Sequence, residues 1–553
     1  MSSTPSPSAS DDRAALRAAR PRDPAPVPLA VLAADLGAAL AVGDDPSVTG
    51  LAVTGVTLSS ARVLPGDLYV ALPGARAHGA DFVPAAVAAG AVAVLTDADG
   101  AARVAAAAAA AASASDAGPV VPVLVVDRPR AVLGALAAAV HDAPAARMAT
   151  IAVTGTQGKT TTTRLAEQAL TGAGVPAAVI GTVGTRVLGR DVPTVLTTPE
   201  APDLHGLFAR MLEDGVRVCA MEVSSHALVL GRVDGVVFDV AVFTNLGRDH
   251  LDFHADVEEY FAAKASLFTP ERTRRALVNV DDPFGRRLVG LATEAGVPVV
   301  TFALRDPAAD WRAVDVVAEP EGSRFTLLGP GGLRVETAVP LPGDFNVANA
   351  LAAVAACVEA GEDPAEVAAG LAASAGVPGR LERVPTTQPF TVVVDYAHKP
   401  DAVAAALGTL RPLSSGRLVL VLGAGGDRDP GKRPLMGRIG AELADVLVVT
   451  DDNPRTEDPA AIRAAVLAGA AEVPTEVRAD VREIGDRRLA VRAAVELAGP
   501  GDIVVLAGKG HETGQEVHGV VHPFDDRVVA AEELDRLPPA ADDAADPVQE
   551  DRP

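Results

Sequence analysis

Cysteine and positive charge are both scarce in this 553-residue sequence. Only Cys219 and Cys357 are present, which is too few for a disulfide framework or a cysteine-based zinc site. Lysine and arginine total 48 against 72 acidic residues, so the net charge is −24. Nucleic-acid binding needs a basic surface, and this composition argues against it. Any phosphorylated ligand must therefore meet positive charge that is concentrated locally.

Aromatic residues and long apolar runs are also rare. Aromatics make up 3% of a chain that is 49% hydrophobic, so the cores must be built from alanine, valine and leucine. The N-terminus does not read as a basic and then apolar signal peptide. The alanine-rich run at 101–118, "AARVAAAAAAAASASDAG", has too little leucine, isoleucine or phenylalanine for a membrane span. We expect a surface helix or low-complexity loop there, and a reduced, cytoplasmic, monomeric protein without membrane insertion.

Lysine is the scarcest charged residue. Only five of the 48 basic residues are lysine: Lys159, Lys264, Lys399, Lys432 and Lys509. Lysine is a compact charge that can lose its proton, which arginine cannot do. A lysine retained in a chain that otherwise uses arginine is therefore a candidate functional residue. All five lie inside the motifs described below.

Short β-branched runs alternate with helical sequence in three blocks, 28–147, 148–375 and 376–537. They lie between a Pro- and Ser-rich segment at 1–27 and an acidic tail at 538–553, both of which we expect to be disordered. The runs include "DLYVAL", "MATIAVTG", "FTVVVDYA" and "RLVLVLGAGG", and most end in a Gly- or Asp-rich turn. This alternation is typical of parallel α/β sheets. Ligands of such sheets bind at the carboxyl ends of the strands.

The stretch "VTGTQGKTTTT" combines a strand, a glycine loop and a helix. The pattern G-x-x-x-x-G-K-[ST] would place a glycine at Val153, so the loop is a shortened form and Val153 should end a buried strand. Backbone N–H groups and a helix N-terminus bind phosphate. Lys159 would reach the β- and γ-phosphates and Thr160 would hold Mg²⁺. The candidate ATP-binding residues of this stretch are Gly155, Thr156, Gln157, Gly158, Lys159, Thr160 and Thr161.

Three further segments carry candidate polar groups. Glu222 ends the apolar run of "MEVSSHAL", where a carboxylate could bind a metal. "FTNLGRDHLDFH" presents Asn245, Asp249, His250 and His254, and "YFAAKASLF" places Lys264 among apolar neighbours. Taken alone, each histidine could equally be a surface or helix-capping residue, and a lone helical lysine is usually solvated.

Together these motifs resemble the Mur ligase family. The similarity continues through "GDFNVANALAA", "GRLERV", "VDYAHKPDA", "GAGGDRDPGKRPLMG", "TDDNPRTEDP" and "GKGHE", in the family's order, and is weaker in the first block. It implies three α/β domains: an N-terminal UDP-binding domain, a central P-loop ATPase domain with a mostly parallel sheet, and a C-terminal Rossmann-like domain. It also implies an ATP-dependent ligase of peptidoglycan precursor synthesis, in which a carboxylate forms an acyl phosphate that an amine then attacks.

The resemblance implies roles for individual residues. Thr160 and Glu222 would bind one Mg²⁺, and His250 with a carbamylated Lys264 would bind a second. Carbamylation needs a free amine, so arginine could not replace Lys264. Lys159, His250 and Lys264 are the implied catalytic residues. The nucleotide would also meet Asn346, Asn349, Arg380, Asp395 and His398, the last three from the third block.

The resemblance further implies UDP-N-acetylmuramoyl-L-alanyl-D-glutamate as one substrate. Its candidate ligands are Leu58, Ser60, Thr197, Thr198, Ser224 and Arg232, whereas Leu230 and Ala61 stand where some family members have polar residues. The "DNPR" sequence accompanies meso-diaminopimelate in the family. A bidentate Arg455 suits the distal carboxylate that lysine lacks. The candidate residues for this amino acid are Arg428, Asp452, Asn453, Pro454, Arg455, Gly508 and Glu512.

Three alternatives remain open on the sequence. One is a ligase of the same family that adds L-lysine. The second is a ligase like folylpolyglutamate synthetase, against which the "DDNPR" and "GKGHE" segments and the additional N-terminal block argue. The third is a nucleotide-binding scaffold without activity, against which the intact Lys159, Glu222, His250 and Lys264 argue.

Overall fold

The computed structural model describes residues 16–40, 50–113, 121–194, 196–247, 249–250, 253–319 and 321–538. The chain divides into two compact units. The first comprises Met1–Val314, Thr326–Thr337 and Ala348–Ser374, and the second comprises Asp315–Phe325, Ala338–Val347 and Ala375–Pro553. No described helix combines the length and the apolar character that crossing a membrane would require.

The N-terminal part of the first unit is built on a five-stranded sheet in the order β2-β7-β6-β5-β4. Strands β4 to β7 are parallel and β2 is antiparallel to β7. The elements are β1 (Val27–Pro28), α1 (Leu29–Leu36), β2 (Ala39–Leu40), β3 (Ala52–Val53), β4 (Gly55–Thr57), β5 (Asp67–Val70), α2 (Val83–Ala88), β6 (Ala93–Thr96), α3 (Ala98–Ser113), β7 (Val123–Val125) and α4 (Pro129–Val140).

The next part carries an eleven-stranded sheet in the order β11-β10-β9-β12-β8-β13-β14-β15-β16-β17-β18. Every pairing from β9 to β16 in this order is parallel. The elements are β8 (Ala149–Thr154), α5 (Lys159–Gly172), β9 (Ala177–Ile180), β10 (Thr185–Val187), β11 (Arg190–Val192), α6 (Ala201–Glu213), β12 (Val218–Glu222), α7 (Ser225–Val229), β13 (Val240–Phe243), α8 (Val257–Ala265), β14 (Ala276–Asn279), α9 (Pro283–Glu294), β15 (Val299–Ala303), β16 (Trp311–Glu319), β17 (Gly322–Gly329), β18 (Leu333–Val339), α10 (Asp344–Glu359) and α11 (Pro364–Ala372).

The second unit contains a six-stranded sheet in the order β19-β20-β24-β21-β22-β23. All its pairings are parallel except that of β19 with β20. The elements are β19 (Glu382–Val384), β20 (Thr391–Asp395), α12 (Pro400–Leu410), β21 (Leu418–Leu422), α13 (Lys432–Leu443), β22 (Val446–Val449), α14 (Pro459–Ala471), β23 (Asp480–Glu483), α15 (Arg487–Leu497), β24 (Ile503–Ala507), β25 (Gly514–Val517), β26 (Val520–Pro523) and α16 (Asp526–Leu534).

The apolar runs of the sequence form the central parallel strands, as predicted. Strand β21 is buried at every position, and its neighbours β22 and β24 are buried throughout as well. Helices cover both faces of a parallel sheet, so such strands are continuously apolar and do not alternate. Small and medium aliphatic side chains dominate the two hydrophobic cores of the six-stranded sheet, in agreement with the scarcity of aromatic residues. Residues 101–113 of the alanine-rich run lie in α3, which is largely exposed, and residues 114–118 lie outside the described residues.

The segment expected to be disordered at 1–27 is described from Leu16 onward. Arg20 is buried there, and its Nη1 lies 2.6 Å from Asp67 Oδ1 on β5, while Nη2 donates to the Val56 carbonyl at 3.0 Å. The expectation of disorder therefore does not hold around Arg20. Residues 1–15, and residues 539–553 of the acidic tail, lie outside the described residues.

The Arg20–Asp67 ion pair generates a stability prediction. Replacing Arg20 with methionine leaves a buried carboxylate without its guanidinium, a change that typically costs about 3–5 kcal/mol. The matched control is Arg22→Met, since Arg22 is exposed and pairs with Asp214 at 2.9 Å; exposed pairs contribute at most about 1 kcal/mol. In urea unfolding followed by circular dichroism, Arg20→Met should clearly lower the urea concentration at the unfolding midpoint, and Arg22→Met should hardly change it. Equal shifts would mean that the buried Arg20–Asp67 pair adds no more stability than the exposed pair.

Candidate active site

The phosphate loop is only four residues long, because β8 ends at Thr154 and α5 begins at Lys159. Val153 is fully buried inside β8, as predicted, between Glu222 of β12 and Val242 of β13. The position where a longer loop has its first glycine is therefore part of the central strand. A side chain belongs there because the residue fills the core.

The two loop glycines are required by their surroundings. Gly155 and Gly158 have φ angles of +150° and +87°, which L-residues with a Cβ rarely adopt. A Cβ on Gly155 would lie 2.0 Å from Thr244 Oγ1, and one on Gly158 would lie 2.3 Å from Asn349 Oδ1. The backbone of the loop thus approaches two neighbouring elements too closely for any other residue.

The end of β13 holds the loop in place. The N–H of Thr156 donates to the Asn245 carbonyl at 2.9 Å, and the N–H of Gln157 donates to Asn245 Oδ1 at 2.9 Å. Thr244 Oγ1 donates to the Gln157 carbonyl at 2.6 Å. Because the Thr156 and Gln157 N–H groups have protein partners, the N–H groups of the first turn of α5 are candidate backbone donors for phosphate. Thr244 was not identified from the sequence as a site residue.

Lys159 and Lys264 converge on one carbonyl oxygen. Both Nζ atoms donate to Gly155 O at 2.8 Å, and Lys159 also donates to Thr156 O at 3.1 Å. The Lys264 side chain is 1% exposed, and its ammonium lies 4.5 Å from the Tyr260 ring centroid. Since both Nζ atoms bind the same oxygen, the distance between them is at most the sum of these two hydrogen-bond lengths. Their mutual repulsion favours an anion between or beside them.

The first turn of α5 is rich in threonine, a weak helix former. Thr160, Thr161, Thr162 and Thr163 are all buried, so tertiary packing overrides the local preference. Thr163 Oγ1 also donates back to the Lys159 carbonyl at 3.0 Å, which is a common arrangement for threonine in helices. The Thr160 hydroxyl consequently lies on the buried first turn of α5, beside the phosphate loop.

The Glu222 carboxylate is buried at the carboxyl end of β12, beside β8. Its Oε1 accepts from the N–H of Thr182 at 2.7 Å and its Oε2 from the Thr182 hydroxyl at 3.1 Å. Mg²⁺ prefers hard oxygen donors and is commonly bound by one or two carboxylates together with water and phosphate. Thr160 and Glu222 fit that donor set. Among the described residues no group of three or more His, Cys, Asp or Glu could hold a metal alone, so the remaining ligands would come from substrate and water.

Four of the six candidate substrate residues cluster beside Glu222. Thr198 Oγ1 donates to the Glu222 carbonyl at 2.8 Å and accepts from the Ser224 N–H at 3.2 Å. Arg232 Nη1 donates to the Thr198 carbonyl at 3.4 Å, and Thr197 Oγ1 lies 3.2 Å from Thr182 Oγ1. Leu58 and Ser60 lie in a different part of the chain, in the segment that joins β4 to β5.

His250 and Lys264 flank the same aromatic ring. The His250 ring centroid lies 6.0 Å from that of Tyr260, and His250 Nε2 is 3.2 Å from Asp249 Oδ2. His250 has a φ of +52°; its neighbours Arg248, Leu251 and Asp252 lie outside the described residues.

His254 contacts the Ser225 hydroxyl at 3.0 Å. Tyr260, whose hydroxyl is 3.2 Å from Thr156 Oγ1, was missed by the sequence analysis.

The candidate nucleotide-binding residues Asn346 and Asn349 both belong to α10. Asn349 is buried and its Oδ1 accepts from Thr162 Oγ1 at 3.5 Å, so it packs against the first turn of α5. Asn346 is buried, and its side chain donates to the Pro342 carbonyl at 2.9 Å. Each amide is therefore oriented by the protein.

In the second unit, Arg380, Asp395 and His398 surround Tyr396. The Arg380 guanidinium lies 4.7 Å from the Tyr396 ring centroid. The Asp395 carboxylate accepts from the N–H groups of Leu381 and Ala397 at 2.7 and 2.8 Å. Burial raises the pKa of Asp395, and the Arg380 charge opposes that rise. Burial, assisted by the Lys399 charge, lowers the pKa of His398 to about 3, so this imidazole is neutral at physiological pH.

The candidate amino-acid residues gather at the carboxyl ends of β21, β22 and β24. Asn453 Nδ2 donates to Glu512 Oε2 at 2.8 Å, and Pro454 follows Asn453 in the same turn. A Cβ on Gly508 would lie 3.3 Å from Asp452 Oδ2. Arg428 is exposed in the loop after β21.

Arg455 is already bound within the protein. Its Nη1 donates to the Gly426 carbonyl at 2.6 Å, and its Nε lies 3.3 Å from the carboxylate of Glu516 on β25. The Arg455 φ is +52°, and the strained residue is held by backbone bonds to Glu516 and His518. Glu516 was not among the site residues predicted from the sequence. It lies in a polar hairpin that carries no apolar run.

The tightness of the loop generates a prediction for Lys159. The Lys159 ammonium fits between two carbonyls and beside Lys264, and the larger, planar guanidinium of arginine would not fit there. Lys159→Arg should therefore reduce the ATP-dependent rate nearly as much as Lys159→Ala, with thermal unfolding showing that both variants fold. Retention of more than about a tenth of the parent rate by Lys159→Arg, a loss of only about 1.4 kcal/mol, would contradict the argument from fit.

Comparison with known proteins matches three parts of the chain to family models. Residues 52–141 match the Mur ligase family catalytic domain, 153–357 the Mur ligase middle domain, and 379–510 the Mur ligase glutamate ligase domain. Among curated proteins, a UDP-N-acetylmuramoyl-L-alanyl-D-glutamate–2,6-diaminopimelate ligase of Streptomyces avermitilis is 53% identical over 521 residues, which are 93% of this chain and 98% of the relative. The ligase of the same name from Corynebacterium efficiens is 50% identical, with 86% and 89% of the two chains covered.

A solved structure of a UDP-N-acetylmuramoyl-L-alanyl-D-glutamate–2,6-diaminopimelate ligase is 34% identical to this chain. It superposes with a TM-score of 0.64 and covers 89% of this chain and 97% of its own. The matched ranges cover parts of all three sheets, and the similarity to the relatives extends over most of the chain. The chain belongs to the Mur ligase family.

Proposed function

We propose that this protein is an ATP-dependent ligase that joins meso-diaminopimelate to UDP-N-acetylmuramoyl-L-alanyl-D-glutamate and releases ADP and phosphate. The observation that carries the proposal is the convergence of Lys159 and Lys264 on the carbonyl of Gly155 in the phosphate loop. The names of relatives that are about half identical over most of the chain support the substrates. The reaction belongs to cytoplasmic peptidoglycan precursor synthesis, and we propose that the enzyme acts there as a monomer.

The first chemical step brings two anions together. The substrate carboxylate attacks the γ-phosphorus of ATP, the bond to the bridging oxygen of ADP breaks, and an acyl phosphate forms. Lys159 and the first turn of α5 would offset the negative charge of the phosphates. Thr160 and Glu222 would hold Mg²⁺, which further neutralises phosphate charge. The amine of the incoming amino acid then adds to the acyl carbon, and phosphate leaves from the tetrahedral intermediate.

We propose that Lys264 acts in a carbamylated form. Its Nζ is buried and lies close to the Lys159 ammonium. Carbamylation would replace one of two repelling cations with an anion, so the pair would attract. A carbamate oxygen is also a hard donor that, with His250, would suit a second Mg²⁺. His250 lies on the same Tyr260 ring as Lys264, which supports this pairing.

The UDP-linked substrate would lie beside Glu222. Thr197, Thr198, Ser224 and Arg232 already form one hydrogen-bonded group there. Arg232 is also held by Glu200 at 2.8 Å, which fixes its guanidinium for an anionic ligand. Leu58 and Ser60, in the segment that joins β4 to β5, are the proposed ligands for the uridine end.

The identity of the amino acid rests on Arg455 and its neighbours. Diaminopimelate carries a distal carboxylate, and a guanidinium can bind a carboxylate with two parallel hydrogen bonds. Arg428 lies in the loop after β21 as a second cation. Asp452 and Glu512 are suited to an ammonium group. L-Lysine lacks the carboxylate and would leave the arginine with a like charge nearby.

We also propose domain limits of 28–147, 148–375 and 376–537. The three sheets and the three matched ranges support this division. The contacts of Arg20 support extending the first domain back to Leu16.

A phosphate-release assay tests the proposed function against the alternatives. Purified enzyme with ATP and UDP-N-acetylmuramoyl-L-alanyl-D-glutamate should release phosphate with diaminopimelate and far more slowly with L-lysine. Preference for lysine would identify the lysine-adding enzyme. Activity only with a folate substrate and glutamate would identify the folylpolyglutamate type, and no release with any acid would indicate a scaffold.

Carbamylation of Lys264 predicts a chemical rescue. Lys264→Ala should lose most of its ligation rate because the proposed metal-binding oxygens are gone. In an assay buffer with high bicarbonate, added acetate, a short carboxylate that fits the vacated space, should restore part of the ligation rate. The matched control is Lys159→Ala, where the lost group is a cation and acetate should restore nothing. Full activity of Lys264→Ala without additives would refute carbamylation.

The role of Arg455 predicts a change in specificity. Breaking a buried charge-assisted pair on one side typically costs about 2–5 kcal/mol, or roughly 30- to several-thousand-fold in kcat/KM. Arg455→Ala should raise KM for diaminopimelate steeply and leave KM for ATP and the UDP-dipeptide nearly unchanged. L-Lysine, a poor substrate of the parent, should lose little or gain. Equal proportional losses for both amino acids would mean that Arg455 only supports its loop through Gly426 and Glu516.

A further inference from the structure

Lys509 is a fully buried lysine between two candidate ligand-binding carboxylates. Its side chain is 0% exposed, and its Nζ lies 3.6 Å from Asp452 Oδ1 and 3.5 Å from Glu512 Oε2. It donates a hydrogen bond to Asn453 Oδ1 at 3.2 Å. It follows β24 directly, at the end of the sheet where the candidate amino-acid residues gather. None of the roles assigned above involves Lys509.

The spacing leaves the carboxylates available to a ligand. Lys509 approaches each carboxylate at the outer limit of a hydrogen bond and makes its shorter contact with a neutral amide. Asp452 is 6% exposed, and its Oδ1 has no hydrogen-bond partner among the described residues. A buried carboxylate oxygen without a donor is unfavourable, so a donor from a ligand would complete it.

The charge of the cluster points to the same kind of ligand. Two carboxylates and one ammonium leave a net charge of −1 when all three are ionised. The adjacent Arg487 and Asp526 form a fully buried pair at 2.6 Å and compensate each other. The cluster therefore lacks one positive charge, which a single alkylammonium group would supply.

We propose that Lys509 is a positioning residue that holds Asp452, Asn453 and Glu512 in place and offsets the repulsion between the two carboxylates, so that together they bind one ammonium group of the incoming amino acid. Without the Lys509 charge the two carboxylates would repel each other, and Glu512 would bind a proton more readily. A protonated carboxyl group is a weaker partner for an ammonium. The inference rests on the proposed function, because it specifies how that site recognises its amino acid.

The electrostatics around Glu512 indicate which carboxylate would be protonated. Burial, and next the Asp452 charge, raise the pKa of Glu512, while the Lys509 charge lowers it. Arg487 at the start of α15 and Tyr396 after β20 also interact with Glu512, and the charges of Arg380 and Arg428 act on the same Tyr396. Burial raises the pKa of Tyr396 to about 12, so this phenol is neutral. Removing the Lys509 charge would raise the pKa of Glu512 further, so the defect should be largest at low pH and decrease as pH rises.

The experiment compares Lys509→Met, which removes the charge, with Lys509→Gln, which removes the charge but retains a donor for Asn453. For both variants we expect KM for diaminopimelate to rise at least about tenfold at pH 6.5, with KM for ATP and the UDP-dipeptide within about twofold of the parent. The rise in KM should be smaller at pH 8.5, because a larger fraction of Glu512 is ionised there.

The matched control is Arg417→Met, which breaks the Arg417–Asp502 pair (2.8 Å) at the opposite, amino end of the same sheet. It should lower thermal stability without changing KM for any substrate.

A double-mutant cycle with Glu512→Gln makes the test independent of small losses in stability. If Lys509 acts through Glu512, then Lys509→Met should add less than about threefold to the Glu512→Gln defect, and the pH dependence should disappear. Independent effects of the two substitutions, a loss that is the same at every pH, or equal rises in all three KM values would overturn the inference and leave Lys509 a structural residue. Parent enzyme that releases no phosphate with diaminopimelate would overturn both the inference and the proposed function. An active parent with unaffected Lys509 variants would overturn the inference alone.

Discussion

The carbonyl oxygen of Gly155 is the point on which the candidate site depends, because it receives hydrogen bonds from both Lys159 and Lys264. It can do so only because β8 occupies the middle of its sheet and ends at Thr154. Strand β12 on one side then delivers Glu222, and β13 on the other delivers Thr244 and Asn245. One short loop at the end of a buried central strand thus determines the positions of the phosphate donors, both cations and the proposed metal carboxylate.

Lysine and arginine have different roles in this acidic chain. Two fully or almost fully buried arginines pair with carboxylates, Arg20 with Asp67 and Arg487 with Asp526. Three lysines instead donate to backbone carbonyls, namely Gly155 O for Lys159 and Lys264 and His398 O for Lys432, whereas Lys509 lies between two carboxylates. A planar guanidinium matches a carboxylate and is neutralised by it, whereas a compact ammonium can be held by neutral oxygens. A carbonyl does not cancel the charge of the ammonium that it binds, so the Lys159 ammonium can attract an anionic ligand even though the net charge of the chain is −24.

The sequence was sufficient to predict the central strands and the phosphate loop, because both depend on local features. Apolar runs such as "RLVLVLGAGG" must be buried on both faces, and the order of strand, glycine and lysine leaves few alternatives. Other features depend on distant partners. Arg20 lies in a Pro- and Ala-rich segment, and its partner Asp67 is 47 residues away. Glu516 lies in a polar hairpin with no apolar pattern, so nothing local indicated that it would meet Arg455. Lys509 could have been suspected from the lysine count alone, but its position between two carboxylates could not.

Three of the nine described non-glycine residues with a positive φ lie in or beside proposed ligand groups of the second unit. Leu381, Asp427 and Arg455 have φ angles of +42°, +51° and +52°, which cost free energy in residues other than glycine. Each is held by several bonds to its surroundings. The N–H of Leu381 donates to Asp395, Asp427 accepts from the Thr456 hydroxyl at 2.8 Å, and Arg455 is bonded to the β25–β26 hairpin. Such loops keep one shape before any ligand arrives, so binding need not supply the free energy to order them. We therefore expect the loops that carry the proposed ligand groups Arg380, Arg428 and Arg455 to be pre-organised for small charged ligands.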